Sequence, residues 1–141
     1  LWQHLVELAT KAGRNTDPVL RQELVKLWSL IEINRLGTLR AKDPNQRTGA
    51  EPNIGKLHMS ELFRSFREVG ISVIGADAML WGADDAASGG TIGEIAMFSP
   101  GPSIYGGTDQ IQRNIIGERI LGLPREPGPD KDTPFRDLPK N

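Results

Sequence analysis

The chain reads as all-α, an antiparallel four-helix bundle with a proline-rich C-terminal tail. Three observations predict this. Apolar residues recur at three- and four-residue spacing over three long segments and one shorter first one, which is helical periodicity. No segment alternates apolar and polar residues as a half-buried strand does. Helix stops and starts are written between the segments, as Gly13, as Asp17-Pro18 and as Gly122-Leu123-Pro124. Residues 1–125 are expected to form the helical domain and 126–141 an extended or disordered tail.

Leu1, Leu5, Leu8 and Ala12 place a stripe on a first helix that Gly13 ends. Nothing caps its start and no initiator Met precedes it, so the chain is expected to be part of a longer polypeptide. His4 has no second ligand at metal spacing and reads as a surface histidine. Thr16 and Asp17 are cap-competent, and Pro18 suits a first helical turn, where its missing N–H costs nothing. From Pro18 to about Lys42, Leu20, Leu24, Leu27, Trp28, Ile31, Leu36 and Leu39 line a broad face that Ile33 widens. Such a helix is expected to be covered on more than one side, with Trp28 in the core. Gly37 costs ~1 kcal/mol relative to Ala, which fits either close packing or simple tolerance. Glu32 and Arg35 read as a solvated pair.

Two prolines and a glycine make residues 42–53 a loop. The next helix is predicted from Ile54 to about Ile74, with Leu57, Leu62, Phe66, Val69 and Val73 apolar and Met59 and Phe63 thickening the stripe. His58 and Glu61 lie one turn apart but lack a third ligand, so a hydrogen-bonded surface pair is expected rather than a metal site. Residues 75–102 are the least regular, with 81–93 expected to be a mobile excursion and Asp84 and Asp85 solvated. In the tail, Phe135 and Leu138 are the only apolar anchors among four prolines.

At 141 residues the chain can bury one core. A net charge of −1 supplies no field for nucleic acid or anionic lipid, so neither is an expected partner. Without cysteine there is no disulfide framework and no thiolate metal site. No apolar run nears the ~20 residues a membrane span needs, and no secretory segment opens the chain. A cytoplasmic location is expected.

The most informative stretch is SIYGGTDQIQRNIIGERILGLPR, Ser103 to Arg125. Gly106 and Gly107 allow a sharp bend and a close approach, since neither has a Cβ. Thr108 can cap the following helix, Asp109 suits its positive pole, and Ile111, Ile115, Ile116 and Ile120 give it an apolar stripe. The N–H groups of the turn can hold a phosphate or a polarised carbonyl oxygen. On chemistry alone, a plain capped turn accounts for the same residues and is favoured.

The run from Ile104 to Arg125 resembles the C-terminal signature of the acyl-CoA dehydrogenases, an aromatic-x-Gly-Thr-x-x-Ile-Gln-Arg pattern, and weaker similarity extends through 24–40 and 54–74. The resemblance implies a helical-bundle domain that also builds an oligomer. In that family a glutamate removes the α-proton of an acyl-CoA thioester while FAD takes the β-hydride, leaving a trans-2-enoyl product, and electrons pass to an electron-transfer flavoprotein. By position, Tyr105 and Gly107 match substrate-facing residues, and Thr108, Asp109 and Gln110 match residues that meet the flavin nucleotide. Arg113 and Arg119 match family arginines, though a solvated or interface role is the stronger reading.

Ile74-Gly75-Ala76 resembles the family's glycine-rich helix end, where one subunit's backbone nears its neighbour's FAD. Gly75 is therefore a cofactor-facing candidate, although Ser72 and Ala76 depart from the pattern. Where many relatives carry the catalytic glutamate this chain has Gly106, so no catalytic residue is assigned and the chain alone is expected to be inactive. In some branches the base sits on an earlier helix; in others a degenerate subunit pairs with a competent one. Residues 1–17 also lack the cofactor-reaching Arg-x-x-Phe-Gly segment.

Overall fold

The computed structural model describes residues 1–81, 86–125, 128 and 132–138. Asp84 and Asp85 lie outside the described residues. Among those described, every regular element is helical: α1 (Trp2–Lys11), α2 (Pro18–Lys42), α3 (Glu51–Ile74), α4 (Thr91–Phe98) and α5 (Asp109–Ile115), joined by short 3₁₀ turns. The all-α expectation holds.

The α1–α2 junction follows from its residues. The Asp17 carboxylate accepts from the N–H groups of Val19 and Leu20, and Pro18 occupies the first turn. The Arg14 guanidinium donates to Asp17 at 3.4 Å and to the Ser72 carbonyl near the end of α3. The start of α2 therefore lies beside the end of α3, and the two helices run antiparallel. His58 confirms the register: its Nε2 lies 2.7 Å from the Leu30 carbonyl, as a donor to it. The expected His58–Glu61 pair does not form, because Glu61 bonds Arg64 instead at 3.0 Å.

α3 is the axis of the fold, touching α1, α2, α4 and α5. It starts at Glu51, three residues before the predicted Ile54. The Glu51 carboxylate accepts from the N–H groups of Thr48 (2.6 Å) and Gly49 (2.9 Å), a side-chain anchor at the helix start that tolerates Pro52 in the first turn. Leu5 and Ala9 of α1, Leu20, Leu24 and Leu27 of α2, Phe66, Val69 and Val73 of α3, and Ile92 of α4 form one buried cluster. The Trp2 indole N–H donates to the Leu24 carbonyl at 2.9 Å and ties α1 to α2. Gly70 lets α4 close on α3, because a Cβ there would stand 3.0 Å from Ile92 Cγ2.

Two expectations are corrected. Trp28 is 47 % exposed rather than core, and Ile33, Leu36 and Leu39 are exposed too, so the described residues cover only the first half of α2. Of the two readings open for Gly37, tolerance fits: among the described residues nothing lies within 4 Å of its Cβ position. Within the stretch expected to be mobile, Ser88, Gly89 and Gly90 make a left-handed turn and α4 begins at Thr91, with Ile92 fully buried. In the tail, Phe135 is 89 % exposed. No described helix is long and apolar enough to cross a membrane.

Candidate functional site

After α4 the chain makes a 3₁₀ turn at Gly101–Ser103, whose Gly101 carbonyl accepts from the N–H groups of Ile104 (2.9 Å) and Tyr105 (3.0 Å). The Tyr105 ring lies over Gly101 and follows Phe98 (centroids 6.1 Å apart), which meets Phe63 of α3 edge-on at 5.4 Å. This aromatic row runs outward from the bundle and ends at Tyr105, which is 46 % exposed.

The bend follows at Gly106 (φ +63°) and Gly107 (φ +90°), both in the left-handed region that favours glycine. Both are exposed. Among the described residues no acceptor takes the N–H groups of Gly106, Gly107 or Thr108. At Gly106 a side chain would meet only Lys56 Cε, 3.9 Å away, so the space in front of the turn is open. Behind it, Gln112 Nε2 donates to the Gly106 carbonyl at 3.0 Å, and its Oε1 accepts from Asn53 of α3 at 2.6 Å. The Thr108 hydroxyl accepts from the Ile111 N–H at 3.3 Å, the predicted cap.

The face α5 turns inward is polar. Asp109 and Gln112 are buried, whereas Ile111 is half exposed and Ile115, Ile116 and Ile120 are only partly covered. The reason lies on α3, which presents Lys56, Ser60 and Arg64 at four-residue spacing along one face. Asp109 Oδ1 accepts from Ser60 Oγ at 2.7 Å and lies 3.5 Å from Lys56 Nζ; Oδ2 accepts from Arg64 Nη1 at 3.2 Å. The same two cations hold the chain before the bend: Lys56 donates to the Pro102 carbonyl, and Arg64 donates to Ser103 Oγ at 2.7 Å. Burial alone would raise the Asp109 pKa, but the bonds from Ser60 and Arg64 and the charges of Lys56 and Arg64 prevail and lower it.

The sequence-predicted site residues thus fall into two places. Tyr105, Gly106, Gly107, Thr108 and Gln110 line one exposed bend, with Asp109 turned behind it. Gly75 caps α3 with φ +60°, exposed and with nothing near its Cβ position. It stands roughly 16 Å beyond Arg64, from the ~1.5 Å rise per helical residue. Beyond Ile115 the chain widens into a π-helical turn, Ile116–Ile120, in place of the single regular helix predicted. Leu123 then folds back to donate its N–H to the Gly117 carbonyl at 2.9 Å, and Gly122 takes φ +67°, as the stop signal predicts. His4 lies 4.0 Å from Glu7 on the surface. The described residues hold no group of three or more His, Cys, Asp or Glu able to bind a metal.

The anchors Asn53, Lys56, Ser60, Arg64 and Gln112 were absent from the sequence-based site. A signal existed, a row of polar residues four apart on an amphipathic helix, but only the position of α5 gives that row a partner.

A family model, the C-terminal domain of acyl-CoA dehydrogenases, matches residues 3–121. The chain belongs to the acyl-CoA dehydrogenase family. It is 36 % identical over 126 residues to the acyl-CoA dehydrogenase IpdE1 of Mycolicibacterium smegmatis, an alignment covering 87 % of this chain and 30 % of that protein. The IpdE1 of Mycobacterium tuberculosis is 34 % identical over 127 residues, covering 87 % of this chain and 31 % of the relative. The chain therefore spans about a third of the length of these relatives. A solved structure described as the Tcur3481-Tcur3483 steroid ACAD shares the fold, with a TM-score of 0.77, 22 % identity, and coverage of 89 % of this chain and 34 % of that one.

Proposed function

We propose that this chain is the C-terminal helical portion of an FAD-dependent acyl-CoA dehydrogenase that converts an acyl-CoA thioester to its trans-2-enoyl form, working in the cytoplasm with an electron-transfer flavoprotein as electron acceptor. The observation that carries this reading is the Tyr105–Thr108 bend, exposed, free of side chains at its apex, and with N–H groups that no described acceptor takes. The bend fits a flavin and thioester because a planar ring system and a carbonyl oxygen can approach its backbone without meeting a Cβ. Flavin, when bound, supplies the acceptor for the hydride leaving the acyl β-carbon.

This chain's own part is to bind and orient. The N–H groups of the bend donate to the thioester oxygen, which gains negative charge as the α-proton leaves, and so lower that barrier. Tyr105 offers an apolar ring beside the reacting carbons, braced by Phe98 and Phe63. Thr108 and Gln110 face the flavin nucleotide, with Asp109 behind them. Gly75 meets a flavin too, and its distance along α3 from the bend suits the cofactor of a neighbouring subunit in an oligomer. No base lies at Gly106, so the α-proton goes to a group outside this chain, and the chain alone is inactive.

Gly106 also supports a second reading, a non-catalytic subunit that oligomerises through the exposed half of α2 and leaves turnover to a partner. The full-length protein separates the two. A flavin absorbance band that bleaches on adding acyl-CoA is the result expected for the first. Bound FAD with no bleaching by any acyl-CoA selects the second. A full-length protein that binds neither FAD nor acyl-CoA overturns the first, and dehydrogenation by residues 1–141 alone overturns the predicted inactivity.

A further inference from the structure

We propose that Asp109 is a positioning residue for the Tyr105–Thr108 bend, acting through Lys56, Ser60 and Arg64 without touching a ligand. The inference rests on the functional reading above for what the bend does, but its geometry stands apart from that reading. A carboxylate in the first turn of a helix is stabilised by the dipole while remaining in water. Asp109 instead gives up water: it is 5 % exposed. Desolvating a carboxylate is costly unless cations and hydrogen bonds replace the lost hydration, and here two cations and a hydroxyl do so.

These partners are shared with the other side of the bend. Arg64 Nη1 bonds both Asp109 and Ser103, and Lys56 Nζ serves both Asp109 and the Pro102 carbonyl. One face of α3 thus clamps the segments entering and leaving the bend. Between the clamps lie two glycines, the residue type with the widest range of backbone conformations. Gln112 holds the Gly106 carbonyl from behind, but it sits on α5, so its grip is only as firm as the seat of that helix. Asp109 provides the seat at the end of α5 nearest the bend. Donors aimed at a developing charge lower a barrier only when they are held in place beforehand. The clamp centred on Asp109 holds them.

The test uses the full-length protein with Asp109→Asn and the milder Ser103→Ala, which leaves no buried charge unpaired. Both are expected to retain bound flavin. We expect kcat to fall about 100-fold for Asp109→Asn, the scale of a misplaced reacting geometry, and about tenfold for Ser103→Ala, with KM changed less than kcat in each. Hydrogen exchange supplies a readout independent of turnover. The amides of Ile104, Tyr105, Ile111 and Gln112, which flank the bend, are expected to exchange faster in both variants, while Val69 and Val73 of α3 keep their protection. Uniform acceleration at all six amides, or unchanged kcat in flavin-loaded variants, makes the cluster a fold anchor only and overturns the proposal. Wild-type protein lacking flavin and acyl-CoA binding refutes the functional reading instead, and the exchange comparison then decides whether Asp109 orders the bend.

Discussion

Replacing Gly107 by alanine separates two costs that this structure places on one residue. The first is conformational: φ is +90°, and a residue with a Cβ in left-handed backbone is strained by about 1–2 kcal/mol. Loss of glycine's freedom in the unfolded chain returns ~0.4–1 kcal/mol, so strain alone leaves a destabilisation near ~1 kcal/mol. The second cost is steric. The new methyl would lie 2.8 Å from Gln112 Nε2, too close, so Gln112 must leave its bonds to the Gly106 carbonyl and to Asn53. Unpairing buried polar groups adds about 1–3 kcal/mol. The expected total is roughly 2–4 kcal/mol.

Gly122→Ala is the control, since φ is +67° there and nothing lies within 4 Å of the Cβ position, so it should show the strain alone. Urea unfolding of the two variants and of Gly107→Ala/Gln112→Ala checks the division. The double variant should be more stable than the sum of the single costs, because removing the glutamine also removes the clash. Equal losses for Gly107→Ala and Gly122→Ala, or strict additivity in the double variant, would refute the claim that Gln112 packs against the bend.

Three further outcomes are expected. Glu51, whose carboxyl is pulled down to about 2 mainly by the Thr48 N–H, contributes stability that is complete above its ordinary value of 4.5 and is lost as pH falls toward about 2. Glu51→Gln should therefore lower stability at neutral pH and flatten its decline between those values in a pH series of thermal melts; an unchanged acid limb would contradict this. Leu27→Ala, at a fully buried position, should cost about 2–5 kcal/mol by chemical denaturation, whereas Arg35→Ala, which breaks an exposed pair with Glu32, should stay within ~0.5 kcal/mol.

The long helices were legible because their signals are local. Asp17-Pro18 writes the start of α2, and Gly122-Leu123-Pro124 writes the stop after α5, with the residues that form the caps. The start of α3 was misplaced because Glu51 reaches back to the loop, a bond that periodicity does not register. α4 was missed because one glycine and only eight residues leave too little pattern, and its helicity depends on Ile92 entering the core beside Gly70. Trp28 was misassigned because an apolar stripe shows that a face is fit for burial without showing what buries it. At the bend, Tyr105, the glycines and Thr108 were readable as a unit. The setting behind them was not, because Lys56 and Arg64 look like ordinary surface cations until a carboxylate more than forty residues away is folded against them.

That both flanks of the bend rest on a single helix has a mechanical consequence. A loop tethered to two separate elements opens or shuts when those elements part, but here the two attachments are rungs on one rigid rail. Sliding α3 by a fraction of a turn would carry the whole loop along without changing the width of its mouth. The width of the bend is therefore set by the one face of α3 that holds both its ends.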